Sequence, residues 1–204
     1  MIFSLNELEL DALTELLNIG VGRSAVSLRQ LVGHQILLRV PKVLLVQRLA
    51  AIEMLRTLES GPLVGVRQYF AGTVRGKAIL IFPNDKSLDL VRAVAGPLPD
   101  EELITLYPEA MAEIGNIVLS NCLASIANLL ERSFTLSVPE ITRGGAAEIL
   151  GEPESSGAYE TVLFVYVDFT IDGMKISGYL AVVTDVPSFS NLKELLAEFV
   201  SRAG

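Results

Sequence analysis

The chain has 204 residues, 50% of them hydrophobic and 20% charged, with a net charge of -8 at pH 7; it is long enough to bury a sizeable core as one domain or two fused halves, and its composition excludes disorder. A single cysteine, Cys122, and a single histidine, His34, rule out an internal disulfide and the usual ligand sets of a protein-held zinc or iron centre. The acidic balance, with Lys and Arg unclustered, argues against nucleic acid as a partner.

The amino terminus, MIFSLNELEL, lacks a basic segment followed by an apolar one, so neither a signal nor a transit peptide is evident, and the cytoplasm is the expected location. Ser4 with Glu7 three residues later predicts a capping box. Apolar residues at Leu10, Leu13, Leu17, Val21, Leu28 and Leu31 then predict a helix over about 5 to 31, stopped by Gly33. HQILLRVPKVLLVQ reads as a strand whose internal Pro41 marks an edge or a bulge. LAAIEMLRTL predicts a short helix closed near Gly61, and LVGVRQYFAGTV with GKAILIF a hairpin around Arg75 and Gly76. DKSLDLVRAVAG closes this half as a helix.

The order then repeats. A helix is predicted near 101 to 131, a strand at SFTLSVPEI, a short turn or helix at GGAAEIL, and the most loop-like stretch at GEPESSGA, residues 151 to 158. TVLFVYVDFTI and KISGYLAVV pair around Asp172-Gly173, a strong hairpin signal, before a final helix at PSFSNLKELLAEFV. The mean hydropathy of +0.48 raises the question of a membrane span. The longest uncharged run, 114 to 130, carries Asn116, Asn121 and Asn128 and is short of the roughly 20 apolar residues a bilayer asks for, so it reads as a buried helix. The expected fold is α+β: a single domain over 1–204 made of two internal repeats, about 1–97 and 98–204, with two long helices on a mostly antiparallel sheet in a pseudo-two-fold arrangement.

Shifting the chain by 98 positions aligns the halves without a gap across 33 residues: Ala12 with Ala110, Glu15 with Glu113, Asn18 with Asn116, Ile19 with Ile117, Ser27 with Ser125, Pro41 with Pro139. Glu-x-x-Asn occurs twice in the chain and nowhere else. On each long helix it lies in a stripe of polar or small residues at i, i+4, i+7 and i+11: Asp11, Glu15, Asn18 and Gly22 on the first, Glu109, Glu113, Asn116 and Ser120 on the second. A polar stripe is by default only the wet face of an amphipathic helix. Asn, however, is a mediocre helix former, and matched mid-helix Asn residues are a local inconsistency of the kind that marks function.

A carboxylate beside a carboxamide lacks both a nucleophile with its base and the oxygen ligands of a hard cation. An amide holds a water at a fixed angle and a Glu pairs with a partner's Lys, which suits phosphoryl transfer, where positioning and electrostatics dominate. At these residues the chain resembles the CheC/CheX/FliY family of chemotaxis phosphatases, whose signature is Asp or Ser, three residues, Glu, two residues, Asn, twenty-two residues, Pro. The first half matches as Asp11, Glu15, Asn18 and Pro41; the second matches as Glu109, Glu113, Asn116 and Pro139, departing only at Glu109. Two copies make the chain look more like CheC or FliY than CheX.

The resemblance implies hydrolysis of the aspartyl phosphate on a phosphorylated CheY-type response regulator. Asn18 and Asn116 would orient the attacking water, Glu15 and Glu113 would pair with the regulator's lysine, and Asp11 and Glu109 would serve docking. It also implies no cofactor of the chain's own, Mg2+ being supplied by the regulator; with 114–130 read as a buried helix, no membrane partner is expected. The alternative is a non-catalytic adaptor of the chemotaxis or flagellar-switch system that binds CheD or a response regulator; the switch relative FliM is expected to share the fold but to lack the Glu and Asn. Cys122 is expected to be an inert buried thiol, His34 to have no evident partner, and Gly20-Val21-Gly22 to let another backbone approach.

Overall fold

Asn6 starts the first helix. Its Oδ1 accepts from Glu9 N at 2.9 Å while its own N–H donates to Glu9 Oε2 at 2.8 Å, so the capping box lies two residues later than the predicted Ser4 and Glu7 pair. The sequence pattern fits both registers, and the structure uses the asparagine, a better cap than the average residue. This is a computed structural model in which residues 4–151 and 161–203 are described. Of the predicted loop at 151 to 158, all but Gly151 lies outside the described residues.

Helix α1 spans Glu7–Val32 and ends at Gly33, whose φ of 73° is the left-handed conformation that stops a helix. Strand β1 (Ile36–Gln47) and helix α2 (Arg48–Leu58) follow, then the hairpin β2 (Leu63–Gly72) and β3 (Gly76–Pro83), and helix α3 (Asn84–Ala95). The second half runs α4 (Asp100–Leu129), β4 (Phe134–Leu136), β5 (Glu140–Gly144), α5 (Ala146–Leu150), β6 (Thr161–Ile171), β7 (Met174–Thr184) and α6 (Val186–Ala203). The sheet order is β1-β6-β7-β3-β2-β4, with β5 also paired to β2, and the pairings are antiparallel. The fold is therefore α+β as expected, six helices on a seven-stranded sheet among the described residues.

Both faces of the sheet are covered. Alternate residues of β6 separate cleanly: Leu163, Val165, Val167 and Phe169 face the core under α1, α3, α4 and α6, while Val162 and Phe164 face α2 and α5. That alternation is the period-2 geometry of a strand buried on both sides. The apolar run of α4 supplies Met111, Ile114, Val118, Leu119 and Leu123 to the larger core. By length and composition α4 could cross a membrane, but in this fold it packs against α1 and the sheet as a core helix.

The predicted strand SFTLSVPEI is divided. β4 and β5 both pair with β2, but the regular ladder is interrupted at residues 137–139, where Ser137 N still donates to Tyr69 O and Pro139 has no N–H to donate. His34, expected to stand alone, contacts Asp172 Oδ2 through Nδ1 at 2.7 Å. Cys122 is buried, and that burial pushes its thiol up to about 12, so it stays protonated and unreactive.

Asp185 anchors the last helix. Its Oδ1 accepts from Ser188 N at 2.8 Å and its Oδ2 from Arg75 Nε at 3.1 Å. Burial raises the carboxyl, but the Ser188 hydroxyl and N–H, then Arg75, outweigh it and hold the group below its ordinary value. Asp185→Ala is expected to lower stability by about 1 kcal/mol at pH 7, as loss of a helix cap does. Because the folded carboxyl is the stronger acid, its charge-dependent share is fully present above the unfolded value of about 4 and is lost as pH falls below it. Thermal melts of both proteins at pH 7 and pH 3 are expected to show the gap narrowing in acid.

Candidate functional site on the two long helices

Helices α1 and α4 cross where Gly20 meets Cys122. A Cβ built on Gly20 would lie 2.6 Å from Cys122 Cα and 3.0 Å from Asn121 O, so the glycine permits backbone to touch backbone. Gly22 has nothing within 4 Å, and the close-approach reading holds for the first glycine only. Arg23 Nη1 donates to Ser125 Oγ at 3.3 Å across the same interface.

The stripes face outward. Asp11, Glu15, Glu109 and Glu113 are exposed, and Asn18 and Asn116 are partly buried. Among the described residues none of the four carboxylates is hydrogen-bonded or ion-paired. Each Asn, in contrast, is held by the sheet beside its helix.

Asn18 Oδ1 accepts from Val40 N at 3.3 Å. The register of β1 against β6 slips between Arg39 and Lys42, at the bulge that contains Pro41, and the Val40 N–H released from the ladder turns to the helix instead. The long spacing from Asn to Pro in the motif thus has a structural reason: the proline opens the strand where the asparagine needs a partner. In the second half Pro139 opens the strand at 137–139, and the link runs through a side chain. Gln68 Nε2 donates to Ser137 O at 3.1 Å and to Asn116 Oδ1 at 2.9 Å, while Ser120 Oγ donates to the same Oδ1 at 3.3 Å.

These bonds decide which end of each amide is presented. A backbone N–H only donates, so the end of Asn18 that faces Val40 is the oxygen; a carbonyl only accepts, so Gln68 turns its nitrogen to Ser137 and Asn116 must meet it with oxygen. Both Nδ2 groups are left without a partner among the described residues, and neither is a sealed atom. Each helix therefore offers a visiting molecule two N–H donors with a free carboxylate one turn away.

Gln68, Val40 and Ser137 were not singled out by the sequence. Only Gln68 left a trace there, as a polar residue among the inward positions Val64, Val66 and Phe70 of its strand.

The fold sets the two Glu-x-x-Asn stripes on the outward faces of its two long helices. No family model matches the sequence. The chain is similar to CheY-P phosphatase CheC of Bacillus subtilis (strain 168), with 26% identity over 200 residues that cover 92% of this chain and 93% of that one. It shares its fold with FliY of Thermotoga maritima, at a TM-score of 0.72 and 21% identity over 96% of this chain and 98% of the other. The FliM middle domain from H. pylori superposes with a TM-score of 0.60 at 11% identity, covering 94% and 99% of the two chains. The resemblance read from the motifs thus extends in sequence to CheC and in fold to FliY and FliM.

Proposed function

We propose that the protein is a phosphatase of the chemotaxis system that hydrolyses the aspartyl phosphate of a CheY-type response regulator in the cytoplasm. The observation that carries this reading is the pair of amides tethered by their oxygens, each with its NH2 turned outward beside an unpaired carboxylate; the similarity to CheC supports it. Asn18 and Asn116 enter the regulator's site on rigid helices. One N–H of each amide donates to the attacking water and the other to a phosphoryl oxygen, leaving a water lone pair free to attack phosphorus. The bond from phosphorus to the aspartyl oxygen breaks, the carboxylate is regenerated and inorganic phosphate leaves. Glu15 and Glu113 pair with a lysine of the regulator, Asp11 and Glu109 line the docking surface, and the regulator brings the Mg2+ that neutralises the developing charge. Two internal repeats, about 1–97 and 98–204, account for two such sites in one chain.

The test is phosphate release from each phosphorylated response regulator of the same cell, with and without the protein. Acceleration with at least one regulator is expected. Binding to a regulator or to CheD with no acceleration would replace this reading with that of an adaptor, the role the FliM-like fold leaves open.

A further inference from the structure

We propose that Gln68 is a positioning residue of the second site: it holds Asn116 with its NH2 turned to solvent. The inference rests on reading Asn116 as the group that orients water. Gln68 is 1% exposed, on the face of β2 that packs under α4. Besides Asn116, its amide serves the Ser137 carbonyl, yet the equivalent position of the other half is apolar. Leu38 pairs with Phe169 and its counterpart Leu136 pairs with Phe70, so Gln68, two before Phe70, corresponds to Val167, two before Phe169. Val167 is fully buried in the same core.

Gln68 is moreover held at a local disadvantage. Its Nε2 serves both Asn116 and Ser137, but its Oε1 is buried with no hydrogen-bond partner among the described residues, and an orphaned buried acceptor is destabilising. A residue serving only the core would be apolar here, as it is in the other half. The amide is instead what fixes Asn116. Without it Asn116 keeps, among the described residues, only Ser120 Oγ, a hydroxyl that rotates to donate or accept and so tolerates either end of the amide. The first site needs no such residue, because the Val40 N–H performs that task.

The experiment uses Gln68→Met, which keeps an unbranched side chain of similar volume and removes the amide. With Asn18→Ala silencing the first site, Gln68→Met is expected to lower kcat by about tenfold, the scale of one hydrogen bond lost from a transition state, with KM for the phosphorylated regulator unchanged. With Asn116→Ala instead, the loss is expected to vanish, since Gln68 acts only through Asn116. Equal losses in the two backgrounds, or none in the first, would overturn the proposal. The side-chain NH2 signals of Asn116 in 15N-edited spectra read the lock without turnover: they are expected to shift on Gln68→Met, and unchanged signals would overturn it. Should the signals shift while the wild-type protein dephosphorylates no regulator, the phosphatase reading fails and the orientation claim stands.

Discussion

Replacing Asn18 and Asn116 together by aspartate is expected to reduce regulator dephosphorylation to the spontaneous rate, a loss of about 100-fold or more on the scale of a single positioned donor removed from an active site. The substitution exchanges one NH2 for one oxygen and leaves the tether in place. At Asn18 a carboxylate still accepts from Val40 N, and at Asn116 it still accepts from Gln68 Nε2 and Ser120 Oγ. What disappears is the outward donor pair, replaced by a negative charge facing phosphate. Each single variant retains one working site, and the two effects are expected to combine independently. Alanine is a blunter probe, because it strands the Val40 N–H and one N–H of Gln68, whose other stays on Ser137 O, at about 1–3 kcal/mol for each orphaned donor. The aspartate variants are therefore expected to melt close to the wild-type protein and the alanine variants below it. Wild-type rates in the double aspartate variant would remove both amides from the chemistry.

The second large effect concerns the platform that carries both amides. Gly20→Ala is expected to destabilise the protein by about 2 kcal/mol, within the range for overpacking a well-packed contact, because its new Cβ meets Cys122 Cα and Asn121 O, backbone atoms that no rotamer change moves aside. Gly22→Ala, two residues on, meets nothing, and is expected to stabilise the helix by up to about 1 kcal/mol through propensity alone. Melting temperatures are expected to move in opposite directions, by roughly 2–4 °C for each kcal/mol in a chain of this size. If both variants melted alike, the close crossing of α1 and α4 would not be what Gly20 serves.

Much of the architecture was legible from the sequence because it rests on local regularities. The apolar period of α1 and α4, the Asp172-Gly173 turn with φ of 48° and 87°, and the alternating runs of β6 and β7 each arise from neighbours a few residues apart, and the structure places them within a residue or two of their predicted bounds. The errors were contests between equivalent local patterns: Asn6 and Glu9 repeat the spacing of Ser4 and Glu7, and Pro139 divides a run whose β-branched residues read as continuous. His34 and Asp172 lie on different elements, and no spacing rule joins them.

The sequence by itself determined that two stripes exist, that they lie 98 residues apart, and that each sets a carboxylate one turn from an amide; helical periodicity and self-similarity suffice for that. Only the tertiary structure decided which end of each amide is offered. An asparagine carries a donor and an acceptor at indistinguishable positions, and the choice between them falls to partners 22 and 48 residues away: a backbone N–H that a proline bulge released from one strand, and a glutamine that the other half of the sheet replaces with valine. A hydrogen bond is directional and the chain is not, so the orientation of these groups comes into being only when strand and helix meet.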